Sequence, residues 1–245
     1  MKRQSILAIV AAASVAAFVA SASAYDVKPG KGGSIKGKVL FKGDASKANA
    51  KIKPDKDAET CAEHCAPDFT VGDGGGLANA VVYLKDKDVK SGKDFPDAMK
   101  KATVDQVKCV YTGHVTFVMK GGEVAFRNSD KVLHNIKATS SDYNFNEGVE
   151  AGKDLVKKFD KPGEIKLACS IHAWMSGSVW VVPHPYYTAT NDKGEFELTD
   201  IPAGKYTVLV KHGKLGKPAG AEKGIELEVK EGADATHDFE YTKAD

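Results

Sequence analysis

The chain has 245 residues, with 35 Lys and Arg against 33 Asp and Glu, and four cysteines. That length allows one to three domains and a sizeable core. A formal net charge of +2 argues against general nucleic-acid binding.

The chain opens with Lys2 and Arg3, an apolar run from Ile6 to Ala20, and then Ala22-Ser23-Ala24. A positive start, an apolar stretch and an A-x-A site predict a secretory signal peptide over 1–24, cut before Tyr25. The expected location is the periplasm, where disulfides are permitted. The apolar run is short for a membrane span, and no later stretch is long and apolar enough for one, so no stable membrane insertion is expected. Without Lys2 and Arg3 the two charge signs balance, at 33 residues each. The scattered lysines read as solvated surface.

Residues 25–33 are polar and Gly-rich, a loose arm. Residues 34–43 (SIKGKVLFKG) alternate apolar and polar side chains, as a strand does. Residues 44–76 are a long polar stretch with room for one helical turn. A second, more buried strand is predicted over 77–86 (LANAVVYLKD), and 87–100 reads as loop. From Thr103 strands crowd together: 107–111 (VKCVY), 114–120 and 123–128, the last two joined by Gly121-Gly122 as a hairpin. Residues 129–136 enter another strand, 138–153 read as a polar loop, and 155–160, 165–169 and 178–182 complete the run. No stretch carries a 3.6-residue apolar period, so the prediction is an all-β protein built of sandwiches. Pro183-His184-Pro185 marks a boundary. Beyond it, 188–213, 225–232 and 236–242 read as strands and tight turns of a second, smaller β module without evident chemistry.

Within 164–182 (EIKLACSIHAWMSGSVWVV), two apolar strands flank a loop carrying Cys169, His172 and Met175. Taken singly, a cysteine of an exported chain is usually disulfide-bonded, a strand histidine usually structural and a methionine usually core filler. A thiolate, an imidazole and a thioether within seven residues form a soft donor set that suits copper. The best candidate for a fourth ligand is His134, at the start of a strand.

The pattern GGEVAFRNSDKVLHNI … KPGEIKLACSIHAWMSGSVWV, over about 104–183, resembles the cupredoxins, the small blue-copper proteins. The loop length Cys-x2-His-x2-Met is closer to amicyanin than to plastocyanin. The resemblance implies a Greek-key β-sandwich and one type 1 copper site, with His134, Cys169 and His172 as strong ligands and Met175 as the weak axial one. It implies that Asn135 pins the ligand loops together near the sulfur. It also implies that His172 lies toward the surface, its imidazole edge serving as the electron port beside Ala173 and Trp174. The whole mature chain is similar to a bacterial group labelled methylamine-utilisation-like proteins, which join a cupredoxin region to a carboxypeptidase regulatory-like β module. The organisation expected is therefore a signal peptide at 1–24, N-terminal strands and long loops at 25–103, the copper region at 104–183 and the regulatory-like module at 184–245. Whether the N-terminal strands complete the copper sandwich or pair with the C-terminal module stays open.

Two imidazoles and a thiolate suit both copper oxidation states, and a distant Met favours the reduced one. With all four ligands assigned there is no open coordination position, so the expected function is single-electron transfer rather than enzymatic catalysis. The expected partner is a redox protein such as a c-type cytochrome or a dehydrogenase. The competing reading is a non-redox copper-binding or surface-interaction protein. Of the remaining cysteines, Cys61 and Cys109 form one disulfide candidate, with Cys65 as a rival partner for Cys109; the family resemblance leans toward Cys61. A second metal site from Cys61, His64 and Cys65, with His114, is the alternative use of those residues.

Overall fold

The computed structural model describes residues 25–62, 64–65, 68–218 and 220–242. The signal peptide expected at 1–24 lies outside them. Among the described residues the architecture is all-β, as predicted: two sandwiches with only single-turn helices between strands.

The first sandwich has one sheet ordered Asp154–Phe159, Gly122–Asn128, Lys101–Val107, Val110–Tyr111. Its second sheet runs Asn144–Val149, His134–Thr139, Gly163–Ala168, Ser176–Val182, Val115–Met119. Val104, Val124, Phe126 and Phe159 from one sheet meet Ile136, Ala138, Ile165, Leu167, Val179 and Val181 from the other in one buried core. These positions alternate along each strand because successive side chains point to opposite faces.

The second sandwich answers the open question about the N-terminal strands. Gly33–Phe41 pairs with Glu195–Ile201 on one side and with the short parallel strands Asp234–Thr236 and Phe239–Tyr241 on the other. Ala80–Leu84 lies between Tyr187–Ala189 and Gly204–His212, with Ile225–Val229 at the far edge. Both N-terminal strands thus pair with the C-terminal ones. At Gly37 a Cβ would stand 1.9 Å from the His237 carbonyl oxygen. The chain crosses there between the two short parallel strands, and only glycine leaves room.

The two sandwiches share a third apolar layer. Val179 and Val181 face the first core, so Trp180 and Val182 face out, against Val81 and Tyr187. In the same way Ala80, Val82 and Leu84 face the second core while Val81 faces this layer. Tyr83 stacks on Tyr187 with ring centroids 4.8 Å apart. Strands buried on both faces read as continuous apolar runs, which is why AVVYL and SVWVV lack alternation. Lys211 closes the layer by lying 5.5 Å over the Trp180 ring and pairing with Glu164.

Three expectations need correction. Residues 107–111 are not a strand but a two-residue hairpin: Val107 pairs with Val110 across Lys108 and Cys109, whose φ values are 53° and 58°. Gly121 and Gly122 do not join a paired hairpin. They carry the chain from one sheet to the other, since Val115–Met119 pairs with Ser176–Val182 and Gly122–Asn128 with strands of the opposite sheet. The polar stretch 138–153 contains an edge strand, Asn144–Val149, paired only with His134–Thr139. An edge strand buries one face, and here only Phe145, Glu147 and Val149 turn inward, so its composition hid it.

His212 ends the strand Gly204–His212 and is buried, with its Nδ1 accepting the N–H groups of Lys214 and Leu215 at 3.3 Å each. Burial, reinforced by nearby His114, holds its pKa down at about 4, below the ordinary 6.5. The unfolded chain therefore binds the proton first as pH falls. The stabilisation is complete above pH 6.5 and is lost between 6.5 and about 4. On that shift, His212→Asn is expected to flatten the acid side of the stability profile by up to about 3 kcal/mol, read from urea unfolding at pH 7 and pH 4. A parallel acid limb in both proteins would refute the assignment.

Candidate metal centre

The site is built at the start of one strand and the end of another. His134 is the first residue of His134–Thr139, and Cys169 follows the last residue of Gly163–Ala168. These strands are hydrogen-bonded neighbours through Lys137–Ala168, Ala138–Leu167 and Thr139–Lys166. Asn135 ties them at the site: its Oδ1 accepts the Ser170 N–H at 2.8 Å and the Cys169 thiol at 3.1 Å. The loop then curls back, with the Met175 N–H donating to the His172 carbonyl at 3.0 Å.

This folding brings together one ring nitrogen of His134, one of His172 and the Cys169 sulfur, all within 4.8 Å of one another. The two Nδ1 atoms lie 2.9 Å apart, and Cys169 Sγ is 3.9 Å from His172 Nδ1. Met175 is buried in the same core cluster as Cys169. His134 and His172 are fully buried, and Cys169 and Met175 nearly so.

Each imidazole is held from behind by a carboxylate. His134 Nε2 lies 2.8 Å from Asp130 Oδ2, and His172 Nε2 lies 2.9 Å from Asp57 Oδ2. A carboxylate oxygen only accepts, so each Nε2 carries a hydrogen, and in the neutral imidazole the Nδ1 presents a lone pair. With both rings neutral, the two Nδ1 lone pairs face each other in a buried space, where neither can donate to the other. Burial pushes the His134 pKa down, with Asp130 opposing and His172 adding to the fall. A bare acceptor pair of this kind, with a thiol sulfur beside it, is suited to holding a cation. The nitrogen and sulfur types fit copper better than the oxygen-seeking Mg or Ca.

Asp130 also organises the hairpin Lys108–Cys109. Its two carboxylate oxygens accept the N–H groups of Lys108 at 2.7 Å and Cys109 at 2.8 Å. Left-handed backbone at two non-glycine residues costs of order 1 kcal/mol or more each, and these hydrogen bonds offset it. Asn128 shapes the approach to Asp130, accepting its N–H at 3.0 Å and donating to the carbonyls of Val132 and Val149 at 2.8 Å. Cys109 is disulfide-bonded to Cys61, across 48 residues of sequence. Both sulfurs lie within 4.8 Å of a ring nitrogen of His172.

The expected surface exposure of His172 is not found. His172 has 0% exposure, because Asp57 and the one-turn helix Ala58–Cys61, tied down by the disulfide, cover its outer edge. Trp174 lies beside the ring, with centroids 5.3 Å apart, and its Nε1–H donates to the Cys109 carbonyl at 3.2 Å. The alternative grouping of Cys61, His64 and Cys65 loses Cys61 to the disulfide, and the side chains of His64 and Cys65 lie outside the described residues. His114 sits elsewhere, bonded through Nδ1 to the Ser176 carbonyl at 3.1 Å.

Sequence reading missed both carboxylates. Asp130 had a usable signal, an acid four residues before the histidine in SDKVLH, read through the turn that Asn128 builds. Asp57 had none: it is 115 positions from His172 in a polar insertion. Closing a 48-residue loop, the Cys61–Cys109 bridge is expected to stabilise the fold by about 4 kcal/mol. The paired variant Cys61→Ala/Cys109→Ala should lose about that much in denaturant unfolding; a loss below about 1 kcal/mol would mean that the insertion docks without its covalent tie.

No protein-family model matches the chain. No curated protein matches it either. Solved structures resemble about a third of it. A copper-containing nitrite reductase from Thermus scotoductus SA-01 is 26% identical over 33% of this chain and 22% of its own, with a TM-score of 0.31. A purple cupredoxin from Nitrosopumilus maritimus is 24% identical over 33% of this chain and 99% of its own, with a TM-score of 0.30. Amicyanin from Paracoccus versutus is 21% identical over 36% of this chain and 86% of its own, with a TM-score of 0.31. The likeness to these structures is confined to about a third of the chain.

Proposed function

We propose that this chain is an exported type 1 copper protein that passes single electrons between redox partners, with His134, Cys169, His172 and Met175 as the copper ligands. The observation that carries the reading is the pair of opposed imidazole Nδ1 atoms, 2.9 Å apart beside the Cys169 sulfur. A bound copper ion would supply a one-electron couple. The residues supply the rest. His134 and His172 present unprotonated Nδ1 atoms because Asp130 and Asp57 hold the hydrogens on the far nitrogens. Asn135 aims the sulfur and the following backbone. Strand ends and a core-packed loop keep the donors from moving when the charge changes, which lowers the reorganisation that accompanies electron transfer.

In the same reading, residues 104–183 form the copper region and 184–245 a regulatory-like module, recruiting the N-terminal strands described above. The partner is a redox protein such as a c-type cytochrome or a dehydrogenase, and the site has no assigned place for a substrate. Among the described residues no helix is long and apolar enough to cross a membrane. The second reading, copper holding without rapid exchange, gains from one observation: the outer edge of His172 is closed to solvent.

Copper-loaded, oxidised protein is expected to be intensely blue or green and to bleach with ascorbate. Cys169→Ser should abolish the colour with little change in the far-ultraviolet circular dichroism. A colourless oxidised copper complex of the wild type would sink the reading. A sound blue site that fails to exchange electrons with a c-type cytochrome would favour copper holding.

A further inference from the structure

The carboxylate over His172 does more than cover it. We propose that Asp57 is a positioning residue of the metal centre, anchored by the Cys61–Cys109 disulfide. It fixes the tautomer of His172 and biases the bound metal toward its more highly charged state. This inference rests on the copper reading of the same donor set.

The geometry is asymmetric in an informative way. Asp130, behind His134, is four residues away in sequence and is itself held by two backbone N–H groups. Asp57 arrives from the 44–76 insertion and meets His172 across 115 residues. Its side chain is 40% exposed while the His172 side chain is sealed, so the carboxylate keeps water on one side and the imidazole on the other. The Asp57 carbonyl accepts the N–H groups of Thr60 at 2.8 Å and Cys61 at 2.9 Å. One turn of backbone therefore links the carboxylate rigidly to the disulfide, which bonds to Cys109 beside the same histidine.

A carboxylate hydrogen-bonded to a ligand imidazole fixes its tautomer and makes it a stronger donor. Its negative charge also favours the higher charge on a nearby metal. Both effects stabilise Cu(II) more than Cu(I), so Asp57 lowers the reduction potential. Asp57→Asn keeps an acceptor for the Nε2 hydrogen but removes the charge. Asp57→Ala removes both.

Two measurements test this. In the copper-free protein, nitrogen-15 NMR of the histidine side chains is expected to show His172 with its hydrogen on Nε2 and in slow exchange with water. Asp57→Ala should speed that exchange and mix the tautomers. In the copper-loaded protein, Asp57→Asn should keep the blue band and raise the reduction potential. A tenfold selective loss of Cu(II) affinity would read as a rise of about 59 mV for a one-electron couple. Asp57→Glu should restore most of the wild-type value. The disulfide-free pair Cys61→Ser/Cys109→Ser should shift the potential in the same direction, and adding Asp57→Asn to it should change little more. An unchanged potential in Asp57→Asn, or an unchanged His172 tautomer in Asp57→Ala, would overturn the proposal. A wild-type potential in the disulfide-free pair would overturn the anchoring role. A wild type without a blue band would defeat the copper reading instead, and the copper-free NMR result would still decide whether Asp57 sets the tautomer.

Discussion

The site depends on one constraint: two buried imidazoles are made to face each other through their Nδ1 nitrogens. Left alone, a histidine in a core turns until each nitrogen finds a partner. Here Asp130 and Asp57 occupy the Nε2 positions and leave the Nδ1 atoms opposed at 2.9 Å. Bringing two lone pairs together in a low-dielectric interior is unfavourable unless a positive charge lies near them. Opposed nitrogens beside a sulfur are thus suited to a cation, and the elements around them keep the arrangement from relaxing.

Those elements are rigid for separate reasons. His134 is fixed by its strand and by the Asn128–Asp130 turn. Cys169 is fixed by the neighbouring strand through Asn135. The His172 loop is closed on itself by the Met175 N–H and covered by Trp174 and the disulfide-tied segment. Asp130 connects these parts: one carboxylate holds His134 and the left-handed hairpin that bears Cys109. The second sandwich stands behind the strand that leaves the loop. Ser176–Val182 is pinned on one face by the first core and on the other by the Trp180 layer. The far end of the ligand loop therefore has no freedom to slide.

Much of this was legible in the sequence where local chemistry decides structure. The alternating runs gave the strands, and the Cys-x2-His-x2-Met spacing gave a loop able to converge on one point. The apolar runs AVVYL and SVWVV marked strands, the first of them as more buried, although their burial on both faces and which sandwich would claim the first could not be read from composition. Legibility failed where a long-range contact overrides a local preference. Lys108 and Cys109 look like strand residues and become a left-handed turn because Asp130 supplies acceptors for both N–H groups. Gly121-Gly122 looks like a hairpin and becomes a passage between sheets, because pairing partners lie elsewhere in the chain. Asn144–Val149 hides because an edge strand needs few apolar residues.

The exposure of His172 is the most instructive of these reversals. Resemblance to small blue-copper proteins implies an open imidazole edge, and nothing within the ligand loop contradicts that. The closing group is not in the loop. It is a carboxylate on a polar insertion of more than thirty residues, a stretch that reads as surface loop. Such an insertion adds little loop-closure entropy as it lengthens, so the fold tolerates it, and one disulfide is enough to seat it over the site. With Asp57 in place, the His172 edge is closed to water. In the proposed electron-transfer role, electrons leaving by way of His172 would pass the acid-capped edge or its aromatic neighbour Trp174, whose ring lies 5.3 Å away. The loop from Cys169 to Met175 supplies the soft donors, and the remote insertion sets how they meet their surroundings.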